Sequence, residues 1–180
     1  MSRILLRTLL TIALVVPALT LVASAHAQGT PVTATMSVDI TVVAPLSLTV
    51  TQKLDFGRVL AGAKPVIAPG AANSGRFEVA GSAGSAVTVT LQMPSALTGP
   101  GVSIPLTGWS YVASDVATLA GATPVTFAGN QSVPVNATLA GSSGTTKLYF
   151  GVGATAGTSG SQAVGHYAAT GTITAAYSDI

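Results

Sequence analysis

Residues 87–93 read Val87-Thr88-Val89-Thr90-Leu91-Gln92-Met93, an unbroken alternation of apolar with hydroxyl or amide side chains. Successive side chains of an extended chain point to opposite faces, so this stretch predicts a half-buried β-strand with one wet face. The same period spreads outward. Phe77 and Val79 alternate with Arg76 and Glu78, and Val133, Val135, Ala137 and Leu139 form a further stripe ahead of Leu148, Phe150 and Val152. Leu46, Leu48 and Val50 make a strand before Leu54, Phe56 and the turn-forming Gly57. Near the C-terminus, Tyr167, Ala169, Gly171, Ile173, Ala175 and Tyr177 share one face opposite Ala168, Thr170, Thr172, Thr174 and Ala176. Small-residue connections are read over Ala61–Ser74, Gly99–Gly108 and Gly153–Ser161. Many short alternating runs divided by Gly, Pro, Ser and Asn, with no helical period after residue 27, predict an all-β sandwich or barrel. Ala117-Thr118-Leu119-Ala120-Gly121 recurs as Ala137-Thr138-Leu139-Ala140-Gly141, read as two similar strand ends.

The longest error-free alternation lies upstream. Val32, Ala34, Met36, Val38, Ile40 and Val42 alternate with Thr33, Thr35, Ser37, Asp39 and Thr41. Val43 breaks the pattern and Pro45 removes a ladder donor, which predicts a bend or bulge there. Such a strand can complete its own sheet or pair with the open edge of a neighbouring subunit, and both options satisfy the same alternation. Ahead of it, Arg3 and Arg7 precede the apolar run Leu9–Val22, and Ser24-Ala25-His26-Ala27 supplies small residues for a signal-peptidase site between Ala27 and Gln28. The expected organisation is a signal peptide over 1–27, an N-terminal arm over 28–44 and a sandwich domain over 45–180.

Composition narrows the function. The 180 residues are 48% hydrophobic and only 7% charged, with no Cys, which removes thiol chemistry and cysteine–zinc sites. Taking 27 from 180 leaves 153 residues with five basic and five acidic side chains, a formal net charge of zero. No basic patch remains to attract phosphates, so nucleic acid is not expected as a partner. The single remaining His166 and scattered acids predict neither a catalytic constellation nor a metal site. No cofactor or small-molecule substrate is expected. Gly151-Val152-Gly153-Ala154-Thr155-Ala156 matches a dinucleotide fingerprint, but Gly157-Thr158-Ser159-Gly160 is turn chemistry where the pyrophosphate needs a helix N-terminus. Asn130-Gln131-Ser132 and Asn136-Ala137-Thr138 fit the glycosylation pattern by coincidence in a chain rich in Ser and Thr. Trp109 and Tyr111 read as buried sandwich aromatics, with sugar stacking in a loop as the alternative.

The order of motifs adds a resemblance. Leu54-Asp55-Phe56-Gly57 follows an N-terminal strand, and Phe77-Glu78-Val79-Ala80-Gly81 precedes Val87–Leu91. Then come Leu148, Gly151-Val152-Gly153-Ala154-Thr155 and a final Gln162-x-x-Gly165-x-Tyr167 leading to Tyr177. Over Thr33–Tyr177 this resembles the secreted bacterial proteins grouped as domain of unknown function 4402, which are similar to spore coat protein U and, more distantly, to chaperone–usher pilins. The resemblance implies an incomplete immunoglobulin-like antiparallel sandwich that polymerises by donating its N-terminal strand. Val32, Ala34, Met36, Val38 and Ile40 would be donor residues. Tyr167, Ala169, Gly171, Ile173, Ala175 and Tyr177 would border the acceptor groove, which a periplasmic chaperone covers before an outer-membrane usher assembles the homopolymer. The expectation is therefore a non-enzymatic subunit of a surface fimbria or coat, exported through the periplasm of a Gram-negative cell. A monomeric secreted binding module and a small outer-membrane β-barrel are the alternatives.

Overall fold

The computed structural model describes residues 33–119, 121–127 and 131–178. The signal-peptide reading and Val32 therefore lie outside the described residues. The chain divides into two units, Met1–Asp39 and Ile40–Ile180. Of the first, the described residues Thr33–Asp39 are exposed and lie in no strand.

The second unit is all-β. Ten strands are described: β1 (Ser47–Gln52), β2 (Val66–Ile67), β3 (Gly75–Ser82), β4 (Ala86–Gln92), β5 (Ala96–Leu97), β6 (Ile104–Ser114), β7 (Val125–Thr126), β8 (Ser132–Thr138), β9 (Thr145–Ala156) and β10 (Thr172–Tyr177). One sheet runs β1-β3-β9-β6-β5, with β2 added to β9 and β7 to β6; the other runs β10-β4-β8. Each described pairing is antiparallel. The sheets pack face to face over an apolar interior, a sandwich rather than a barrel with a polar lumen.

The expected alternation fills that interior. Val87, Val89 and Leu91 of β4 are wholly buried, as is Phe150 of β9. Phe150 faces its register partner Phe77 with ring centroids 4.6 Å apart and planes within 5°. Pro134 interrupts β8 without harm because β8 is an edge strand, where a missing ladder donor is tolerated.

Three expected connections are corrected. Gly99–Gly108 is cut short because Ile104–Ser114 is an eleven-residue strand. A bulge between Thr107 and Ser110, with Gly108 at φ 60°, lets the strand keep Leu106 and Trp109 both buried and so hides its period. Trp109 is consequently 7% exposed on a central strand, and its Nε1 donates to the Pro94 carbonyl at 3.2 Å, leaving no ring face for a sugar. Gly153–Ser161 loses its first residues to β9, which continues to Ala156, and Ala61–Ser74 contains β2.

The dinucleotide-like glycines have a packing role. Gly151 and Gly153 lie on β9 with their open side against the crossing segment Ile67–Gly70. A Cβ on Gly151 would run into the Pro69 carbonyl oxygen, and one on Gly153 into that of Ile67. The repeated pentapeptides have two features in common: Leu119 and Leu139 are buried, and Gly121 and Gly141 take positive φ of 83° and 108°. Only the second copy ends a strand; Leu119 lies beyond the end of β6.

Candidate functional site

The feature with most physical content is the side of the sandwich where β1 and β10 form the edges of opposite sheets. β10 pairs with β4 from Thr172↔Gln92 to Tyr177↔Val87, and its other edge carries no strand among the described residues. Its inward residues Ile173, Ala175 and Tyr177 are only half-buried, whereas their β4 partners Leu91, Val89 and Val87 are wholly buried. Across the gap, Leu46, Leu48, Leu54 and Phe56 are likewise half-buried and packed against the core. An apolar interior thus reaches solvent along this side. Unpaired main-chain groups beside an apolar strip are a template for a further strand.

The C-terminal run is shorter than its alternation suggests. Only Thr172–Tyr177 is strand; Ala169 and Gly171 are exposed and precede it. Tyr167 is held in a loop, its Oη donating to the Ala163 carbonyl at 3.0 Å and accepting from Gln162 Nε2 at 2.8 Å. Its ring lies where side chains of Gly99 and Gly101 would stand, since a Cβ there would be 2.5 and 2.8 Å from Tyr167 atoms. Of the six residues expected along the groove, Ile173, Ala175 and Tyr177 share a strand face, and Tyr167 joins the core from the loop.

At the other end of β10 a polar lock holds the start of the sandwich. Tyr177 Oη donates to the Ala44 carbonyl at 2.7 Å and accepts from the Ser82 amide at 2.8 Å. The Ala44 amide donates to Ser82 Oγ at 2.6 Å. Gly81 makes room, because a Cβ there would stand 2.5 Å from Tyr177 Oη and 2.8 Å from Leu46 Cδ1. Alternation alone missed Ala44 and Ser82; the small triplet Ala80-Gly81-Ser82 opposite a tyrosine was the available signal. Tyr177→Phe should leave the Ser82 amide and Ala44 carbonyl without this partner at a half-buried site and cost about 1–3 kcal/mol. Urea unfolding should then show a lower midpoint at unchanged slope.

Met36, Val38, Ile40 and Val42 are 84–88% exposed. The expected strand over 32–42 is therefore not formed over its described residues, 33–42.

The remaining polar features are these. Asp55 Oδ1 accepts from the Gly57 amide at 2.8 Å and Oδ2 lies 3.3 Å from Lys53 Nζ. The backbone bond, then Lys53, hold its carboxyl below the usual aspartate range, with a minor pull from His166. Glu78 Oε1 accepts from Lys147 Nζ at 2.7 Å across β3 and β9, which raises the lysine pKa. His166 is exposed, and among the described residues no group of three or more His, Cys, Asp or Glu is placed to hold a metal. A cleft of about 480 Å³ is lined by Val102, Pro105, Thr107, Thr155, Lys64 and Gln162 among others. Asn136 Oδ1 accepts from Thr88 Oγ1 at 2.9 Å; Asn130 lies outside the described residues.

The described residues form a β-sandwich in which β1 and β10 leave half-buried apolar residues along their shared side. No family model, curated protein or solved structure matches the chain.

Proposed function

We propose that this chain is a non-enzymatic structural subunit of a bacterial surface fimbria or coat, assembled by donation of the arm around residues 32–42 to the open side of the next copy. The carrying observation is the pairing of complementary deficits. Ile173, Ala175 and Tyr177 lack a covering strand, while Met36, Val38 and Ile40 lack a sheet. Adding an extended segment to a sheet edge satisfies main-chain groups and seats alternate side chains inward. The same edge is the surface a periplasmic chaperone would cover before an outer-membrane usher adds the subunit. Export would depend on residues 1–27, with Val32 and Ala34 completing the donor face.

Deleting Gln28–Asp39 and running surface material on unheated gels tests the reading. Loss of the oligomer ladder with the sandwich still folded is the expected result; a persisting ladder would overturn it.

A further inference from the structure

On the donor-strand reading, the donated arm has to find one register along the open side of the acceptor. Alternation of period two forbids a one-residue slip, which would turn every apolar side chain outward. It does not forbid a slip of two, because Ala34, Met36, Val38 and Ile40 would each still face inward. Something other than hydrophobicity has to distinguish those registers.

Between Arg7 and Lys53 the sequence holds one Asp, Glu, Lys or Arg, namely Asp39. It falls on the polar phase with Thr33, Thr35, Ser37 and Thr41, so an arm seated by its apolar phase carries Asp39 along the outer rim. The acceptor rim is nearly as sparse. The outward residues of β10 are Thr172, Thr174 and Ala176, and the approach from Gly165 adds only His166. On the facing side, the segment continuing β1 carries Lys53, Asp55 and Arg58. Lys53 and Asp55 are already paired at 3.3 Å. Arg58 is exposed and has no ion pair or hydrogen bond among the described residues.

We propose that Asp39 marks the register of the donated arm and that Arg58 of the acceptor copy is its counterpart. Arg58 follows β1 by six residues, and β1 ends where β10 begins, since Gln52 pairs with Arg76 there while Tyr177 sits beside Ser82 at the opposite end. Holding Asp39 at that end brings Val38, Met36 and Ala34 alongside Ile173, Ala175 and Tyr177. A slip of two residues, about 6.6–6.8 Å, keeps the apolar faces matched but separates the charges.

The test places Asp39→Lys, Arg58→Glu and the double exchange in the full-length chain and measures the rate at which ladders dissociate at low and high salt. Each single variant is expected to release its arm about two- to fivefold faster at low salt, as an exposed ion pair allows. High salt should erase the difference, and the double exchange should restore the original rate. Single variants at the original rate, or a double exchange no better than the singles, would overturn the assignment. The deletion of Gln28–Asp39 run alongside separates the two ideas. If it abolishes the ladder while both charge variants behave normally, only the register assignment falls; if the ladder survives deletion, the donor-strand reading falls with it.

Discussion

A copy of residues 31–43 appended behind Ile180 through a flexible Gly/Ser linker is expected to raise the melting temperature by about 5–10 °C and to yield a folded monomer once the native arm is deleted. The half-buried strip Ile173, Ala175 and Tyr177 with Leu46, Leu48, Leu54 and Phe56 is what the graft would cover. Covering it while burying Val32, Ala34, Met36, Val38 and Ile40 contributes on the order of 5–10 kcal/mol by apolar area. Ordering the arm offsets most of that, leaving a few kcal/mol. For a chain of this size, each kcal/mol moves the midpoint by roughly 2–4 °C. A control graft with Ala34, Met36, Val38 and Ile40 changed to Ser or Thr should keep the linker and backbone but show no gain. Calorimetry of the two grafts side by side checks the expectation, and equal midpoints would show that the open side does not seat this segment.

The second large effect concerns the centre of the larger sheet. Gly151→Val should leave no folded protein in the soluble fraction. β9 is held between β3 and β6, and the crossing segment Ile67–Gly70 lies against it with main-chain atoms. The new Cβ meets the Pro69 carbonyl oxygen and has Leu119 Cδ1 at 2.9 Å. A flexible side-chain tip can rotate away, but the Pro69 carbonyl is main chain two residues past β2, so its displacement pulls on the β2 contact with β9. The expected cost is about 4–5 kcal/mol or more, in the exceptional range for one substitution. Gly160→Ala is the contrast: nothing lies within 4 Å of its added Cβ, so a change within about 0.5 kcal/mol is expected. Expression and circular dichroism of the two variants distinguish a backbone contact from general intolerance to glycine loss.

How much of this was readable beforehand depends on what each strand does with its two faces. β3, β4 and β8 each bury one face, so their side chains keep period two and the sequence displays it; β9 keeps it over Leu148, Phe150 and Val152 although Gly151 and Gly153 on its second face are covered as well. β6 does not, because the bulge at Gly108 shifts its phase midway and Pro105 lies inside it. Two-residue strands such as β2 and β7 are too short to carry any period. The open side was legible in part. Ile173, Ala175 and Tyr177 sit on the expected face, whereas Tyr167, Ala169 and Gly171 continue the pattern but not the strand. A tyrosine tied to Gln162 and Ala163 draws that stretch into a loop, and alternation over small residues cannot register such a tie. The arm displays the opposite limit. Its period is flawless, yet period reports only that a second face is needed, not which sheet supplies it.

The lock between Ala44, Ser82 and Tyr177 also determines how the molecule bears load. Tension applied to the N-terminal segment reaches the body at Ala44, whose amide is tied to β3 through Ser82 and whose carbonyl is tied to β10 through Tyr177. The pull therefore divides between both layers before it reaches β1. The ladder bonds of β1 to β3 stand across the strand direction, so a force along β1 stretches them together in shear rather than peeling them one after another.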